Sequence, residues 1–260
     1  MKIGFFDSGL GGLTILKAVA KELPDYDYIF YGDTVNLPYG NKTEEEVYNL
    51  TLKGVEYLIT SECTLIIIAC NTASAETLRR LQTEYLTTKS ANLKIIGVIR
   101  PTVESIDLSV SLSISLLATK RTVESNKYQM ELTKLNKNNQ LIQISAPDLV
   151  PLIEIGDLEL ATEHAIKLID EEGGESGVVV LGCTHYTEIK KLLRSHYGNQ
   201  KIILSQDEII PKKLKDYLER HPEIESRLSR GGERNIHLTE HKLYFDKILQ
   251  QLLGGVYLEE

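Results

Sequence analysis

Three cysteines stand far apart in this chain, at Cys63, Cys70 and Cys183. A thiol can serve as nucleophile, metal ligand, redox centre or acid–base group, and its neighbours decide which. No two of the three form a C-x-x-C pair, so a zinc site is not expected. Two of them share a context. Leu65-Ile66-Ile67-Ile68-Ala69 runs into Cys70-Asn71-Thr72, and a helical stripe with Leu78 and Leu81 follows. Val178-Val179-Val180-Leu181-Gly182 runs into Cys183-Thr184-His185, and a stripe with Ile189 and Leu192 follows. Each reads as a buried strand, a cysteine with polar neighbours, then a helix. Open α/β sheets bind ligands at such strand ends. The free N–H groups of a helix N-terminus favour anions, so both thiols are expected to lean towards thiolate. Cys63 reads differently, as a structural residue closing the helix before the strand.

Two thiols on opposite sides of a carbon atom can take a proton from one face and return one to the other without moving the substrate. Each then needs a partner for its proton. His185 lies two positions from Cys183 and can set that thiol's protonation. Asp7 ends the first strand, in Phe6-Asp7-Ser8-Gly9-Leu10-Gly11-Gly12. That turn is not a dinucleotide fingerprint, because Thr14 stands where the third glycine would fall and no G-K-[ST] follows. The Asp7 charge would also repel a pyrophosphate, so a proton- or hydrogen-bond-accepting role fits it better. The cluster from Gly32 to Gly40 reads as a turn. No cofactor is expected, and no lysine stands in a pyridoxal-type context.

The elements that must position these residues alternate along the chain. Strands are expected at Lys2–Phe6, Tyr28–Tyr31, Leu65–Ala69, Ile95–Ile99, Ile114–Leu117, Leu141–Ile144, Val178–Leu181 and Ile202–Leu204. Helical stripes lie between them. Leu13, Leu16, Ala20 and Leu23 form one, stopped by Pro24, and Leu78, Leu81 and Tyr85 form another. Ala161, Ala165, Leu168 and Ile169 form a third, ended by Gly173-Gly174. The alternation predicts an α/β protein with mostly parallel sheets flanked by helices, and the two matched cysteine segments predict two similar halves. Asn136–Gln140 reads as a surface turn, and Glu219–Gly232 as a loop between two C-terminal helices.

Composition narrows the function classes. The 260 residues carry a net charge of -8, with 42% hydrophobic and 25% charged residues. These are values of a soluble globular enzyme. An acidic chain repels nucleic acid and anionic membrane, so neither is an expected partner. An anionic substrate would be held by local donors instead. No targeting signal is read at the N-terminus, and runs such as Leu65–Ala69 are too short to span a bilayer, so a cytoplasmic protein is expected. Disulfides are not expected there.

Taken together, these segments resemble the glutamate racemase family, within the wider aspartate/glutamate racemase superfamily. The resemblance runs along nearly the whole chain. Its anchors are Phe6 to Gly12, Gly32-Asp33-Thr34 with Pro38-Tyr39-Gly40, Ala69-Cys70-Asn71-Thr72-Ala73-Ser74-Ala75, and Leu181-Gly182-Cys183-Thr184-His185-Tyr186. Weaker agreement continues through Ala118-Thr119, Thr122, Ser125 and Tyr128 to Val150-Pro151-Leu152-Ile153-Glu154.

The resemblance implies two similar α/β domains with the active site in the cleft between them, and interconversion of L- and D-glutamate without cofactor or metal, supplying D-glutamate for peptidoglycan. It implies that Cys70 acts on the D-enantiomer, assisted by Asp7. Cys183 acts on the L-enantiomer, assisted by His185, which Glu154 backs. Substrate contacts are implied for Asp7, Ser8, Tyr39, Gly40, Asn71, Thr72, Thr184 and His185, with Thr119 and Thr122 joining them. The implied domains are 1-97 with about 207-260, carrying Cys70, and about 98-206, carrying Cys183. A homodimer is compatible with all of this.

Arg100-Pro101-Thr102 departs from the family pattern, which has another residue before the proline and a glycine after it. Ala146 stands before Pro147 where many members carry cysteine. Arg100 is read as a change in domain packing or regulation, outside the chemistry. Members regulated by a cell-wall precursor carry an N-terminal extension, so that regulation is not expected here. Three alternatives stay open. They are a racemase for another acidic amino acid or a superfamily relative acting on aspartate, a catalytically idle binding protein on the same fold, and a thiol redox protein.

Overall fold

In the computed structural model, residues 1–89, 92–106, 113–135 and 141–240 are described. The first half builds β1 (Lys2–Asp7), α1 (Gly12–Glu22), β2 (Tyr28–Gly32), α2 (Glu44–Thr60), β3 (Cys63–Ile68), α3 (Asn71–Arg80) and β4 (Lys94–Gly97). The chain then passes through α4 (Ile99–Val103) into β5 (Ile114–Ala118), α5 (Lys120–Glu124), α6 (Lys127–Leu135) and β6 (Leu141–Ser145). Next come α7 (Leu149–Glu154), α8 (Leu158–Glu172), β7 (Val178–Gly182), α9 (Lys190–Tyr197) and β8 (Ile202–Leu204). The last described elements are α10 (Gln206–Arg220), α11 (Pro222–Glu225) and β9 (Arg234–Leu238).

Two sheets form, and every described strand pair in them is parallel. The first has the order β4-β3-β1-β2-β9 and the second β6-β5-β7-β8. Read from the other edge, the second sheet is β8-β7-β5-β6. This is the order of the first four strands of the first sheet, with β3 matched by β7. The two cysteines therefore leave equivalent strands of equivalent sheets.

Parallel strands covered on both faces must be apolar on both. Leu65 and Ile67 of β3 pack with α1 and α10 on one side of the first sheet, while Ile66 and Ile68 pack on the other with Val47, Val55 and Leu58 of α2. In β7, Val179 and Leu181 face the side covered by α8 and α9, and Val178 and Val180 face Tyr128 and Leu132 of α6. The period-two alternation of a strand thus survives inside runs that look uniformly apolar.

The structure corrects several expectations. Cys63 is the first residue of β3, with its side chain buried, and does not close the preceding helix. The expected loop Glu219–Gly232 holds the end of α10 and the short helix α11, and the chain then enters strand β9, which the sequence did not announce. β9 is short, polar and at a sheet edge, and only Ile236 is fully covered, so its sequence carries little alternation. The stripe Leu78–Tyr85 begins in α3 but continues as a wider turn at Leu81–Tyr85. Leu192 is exposed on α9 and does not belong to the buried stripe. The turn expected at Asn136–Gln140 and the last part of the expected C-terminal helices lie outside the described residues.

Candidate active site

Cys70 follows β3 and caps α3: its backbone is extended, and its sulfur accepts from the Ala73 N–H at 3.5 Å. Cys183 follows β7 in the second sheet. The first turn after Cys183 is a tight one over Thr184–Ile189, and α9 begins only at Lys190. The two strand-to-helix junctions are thus less alike than their sequences.

Both cysteines line one narrow cleft, whose cavity volume is ≈ 30 Å³. That is far below the roughly 300–1,000 Å³ of ligand sites, so the walls stand closed on one another and must part to admit a substrate. Of the residues expected here, Ser8, Tyr39, Gly40, Asn71, Thr72, Thr119, Thr184 and His185 line it with them. Asp7, Glu154 and Thr122 do not reach its wall; each stands behind a lining residue. Asp7 Oδ1 accepts from the Thr184 hydroxyl at 3.4 Å, and Glu154 Oε1 lies 3.3 Å from His185 Nε2. Thr122 Oγ1 is 3.0 Å from Thr119 Oγ1 and 3.2 Å from Thr72 Oγ1. Thr72 and Thr119 are themselves 2.9 Å apart, so hydroxyls from α3 and from the α5 cap meet across the cleft.

The glycine-rich turn after β1 has a steric reason. A Cβ on Gly11 would sit 2.5 Å from Thr184 Oγ1 and 2.9 Å from the His185 nitrogen. Real Cβ atoms do not approach that closely, so glycine here lets the halves close with Thr184 and His185 against α1.

The two sulfurs differ in electrostatics. Burial pushes the Cys70 thiol up to about 12, and the Asp7 charge adds to it, against hydrogen bonds with Ser8 and Ala73. The Cys70 S–H donates to Ser8 Oγ at 3.3 Å. The expectation that a helix N-terminus would favour thiolate is therefore overturned at Cys70, where loss of water outweighs one capping N–H. Burial also raises Asp7, opposed by the His185 charge and by N–H groups of Gly12 and Gly9. At the other sulfur, His185 Nδ1 lies 3.9 Å from Cys183 Sγ. Burial alone would lower the His185 pKa. Hydrogen bonds with Cys183 and Glu154, and the charges of Cys183 and Asp7, outweigh burial and hold it well above 6.5. An imidazolium there is a counter-charge for a thiolate.

Sequence reasoning missed several participants. Leu37, Pro38 and Val150 line the cleft, and their apolar types gave no chemical signal. Asp33 was quoted only as part of a motif. Its Oδ2 accepts from Tyr39 OH at 2.6 Å, which fixes the Tyr39 ring at the cleft. Its Oδ1 accepts from Thr239 Oγ1 at 3.1 Å, just past β9, so the strand missing from the sequence reading buttresses this loop. Arg100 is exposed, pairs with Glu104 Oε1 at 2.8 Å and is not among the cleft-lining residues. No described helix is long and apolar enough to cross a membrane.

A family model described as Asp/Glu/Hydantoin racemase matches residues 13–209. The glutamate racemase of Jannaschia sp. (strain CCS1) is 34% identical over 86% of this chain and 87% of its own. Glutamate racemase isoform RacE1 of Bacillus anthracis superposes with a TM-score of 0.88 at 27% identity, covering 99% of this chain and 96% of that one. The enzyme of Francisella tularensis subsp. tularensis SCHU S4, solved in complex with D-glutamate, gives a TM-score of 0.85 at 28% identity, covering 99% and 96%.

Proposed function

The chain belongs to the Asp/Glu/Hydantoin racemase family, and from that premise we propose that it interconverts L- and D-glutamate with Cys70 and Cys183 as its two acid–base groups, without a cofactor. The observation that carries this reading is that both sulfurs line one buried cleft, delivered by equivalent strands of two different sheets. The domains 1-97 with about 207-260, and about 98-206, each supply one of them.

In the L-to-D direction the Cys183 thiolate takes the α-proton, and the C–H electron pair stays on the substrate as a carbanion delocalised into its carboxylate. The Cys70 S–H then gives its proton to the opposite face. Cys183 ends as thiol and Cys70 as thiolate, the starting state for the reverse reaction. Asp7 and the His185–Glu154 pair handle the protons of the two sulfurs. A carbon acid is far weaker than a thiol, so the cleft must stabilise the charge that develops. The hydroxyls of Ser8, Thr72, Thr119 and Thr184 and the amide of Asn71 line a site with little water to compete. Such an enzyme, in the cytoplasm, would supply D-glutamate for peptidoglycan.

Chiral chromatography of L-glutamate and L-aspartate, incubated with the protein alone, tests this. D-glutamate should accumulate to the racemic ratio, and aspartate should turn over more slowly. One methylene separates the two, which is worth about 10–200-fold. Faster conversion of aspartate would move the substrate assignment, and no conversion of either would overturn the reading.

A further inference from the structure

Four polar side chains from four segments meet in a buried knot beside Cys70. They are Asn71 at the start of α3, Thr102 on α4, Tyr128 on α6 and Gln206 at the start of α10, none more than 2% exposed. Asn71 Nδ2 donates to Gln206 Oε1 at 2.7 Å. Asn71 Oδ1 accepts from Tyr128 OH at 2.7 Å and from Gln206 Nε2 at 2.9 Å. Gln206 Nε2 also reaches Tyr128 OH at 3.1 Å and Thr102 Oγ1 at 3.2 Å.

A pair of facing amides can usually be turned over together, exchanging every donor for an acceptor. Here one hydroxyl forbids it. Thr102 spends its single hydrogen on the Val98 carbonyl, at 2.7 Å. Towards Gln206 it can only accept, so the Gln206 nitrogen must face it. The Gln206 oxygen then faces Asn71 and takes one of its N–H groups. Both lone pairs of the Asn71 carbonyl are engaged as well. The side-chain capacity left to Asn71 is one N–H. Asn71 lines the cleft, so it can offer a ligand only a donor.

We propose that Thr102 and Gln206 are positioning residues that lock the Asn71 amide as a hydrogen-bond donor towards a carboxylate of the substrate. Direction passes from the Val98 carbonyl through Thr102 and Gln206 to Asn71. The opposite orientation would set a carbonyl oxygen against the anion. Burial pushes the Tyr128 hydroxyl above its ordinary range, so it remains a neutral partner in the knot. A glycine at 102 would leave the direction open. This rests on the glutamate reading of the cleft.

The test is steady-state racemisation of glutamate by Gln206→Met, Thr102→Val and Thr102→Ser, with thermal unfolding of each. Gln206→Met keeps the length and removes both contacts to Asn71. It should raise KM about tenfold with kcat changed less than about threefold, the pattern of lost carboxylate binding. Thr102→Val should move KM the same way by about two- to fivefold, and Thr102→Ser should restore the wild-type value. An unmoved KM in folded Gln206→Met overturns the positioning role. So does a Thr102→Ser as impaired as Thr102→Val, since bulk and not the hydroxyl would then matter. If Gln206→Met does not fold, the Thr102 pair decides alone. A wild-type protein that leaves glutamate unchanged overturns the glutamate reading and this proposal with it; active wild type with unmoved KM overturns the proposal only.

Discussion

The two cysteine-bearing walls of the cleft, proposed to act on opposite faces of one carbon, are built differently. The Cys70 wall is a buried thiol with a hydroxyl and a buried carboxyl group around it, and its charge state is held neutral. The Cys183 wall carries a histidine held protonated, with Glu154 behind it. One wall rests as the proton donor, and the other is arranged around the His185–Glu154 pair. The proposed two-base racemisation needs this pairing at each turnover, because two thiols or two thiolates cannot pass a proton across. The equilibrium constant of a racemisation is one, so kcat/KM must stay equal in the two directions for any variant. The asymmetry must therefore be read in exchange of the α-hydrogen with solvent, one enantiomer at a time.

The largest effects should come from the sulfurs. Cys70→Ser and Cys183→Ser should each lower racemisation by about 10³-fold or more, since serine is hardly ionised near neutral pH. In deuterated water Cys70→Ser should still label L-glutamate through Cys183, and Cys183→Ser should label D-glutamate. Full racemisation by either variant would refute the two-base mechanism, and identical labelling by both would break the assignment of faces.

Next come the partners. His185→Asn and Asp7→Asn should each lower kcat/KM by about 10²-fold. Labelling of L-glutamate should suffer more in the first and of D-glutamate more in the second. Equal losses on both sides in both variants would mean that the two walls act as one unit.

The pH profile sharpens the contrast further. His185 is raised above 6.5, so its charge is present at neutral pH and is lost as pH rises through its own pKa. Activity should fall on the alkaline side, by about tenfold per pH unit beyond that point. Burial keeps Cys70 a thiol in the resting protein across this range, and it is ionised only within turnover, so its own titration should add no limb. His185→Asn should erase the alkaline limb. A limb that persists unchanged in that variant would locate the titrating group elsewhere.

Glu154→Gln should give the smallest change. Glu154 raises His185 by a hydrogen bond from partly exposed surroundings, so about a three- to tenfold loss is expected. The alkaline limb should move to lower pH. An unmoved limb would make Glu154 a spectator.

Much of this molecule was legible in its sequence. Eight of the nine described strands lie where apolar runs stand, and the two cysteines sit one or two residues past β3 and β7 because those runs end there. Periodicity and strand ends are local properties, set by a few consecutive side chains. β9 was not legible, since a polar edge strand covered on one residue has no such pattern. The charge state of Cys70 was misread because the cap acts through its neighbours in sequence, whereas burial comes from the whole fold.

The sequence by itself determined the α/β elements, the matched strand ends and the residue types that line the cleft there. Only the tertiary structure decided how those residues are held. It set Asp7 against Thr184 of the other half. It also brought Gln206 onto Asn71, 135 positions away, and let the Thr102 hydroxyl choose which way their amides point. Hydrogen-bond direction in a buried network depends on every donor and acceptor that closes it, and those partners come together only when distant segments pack.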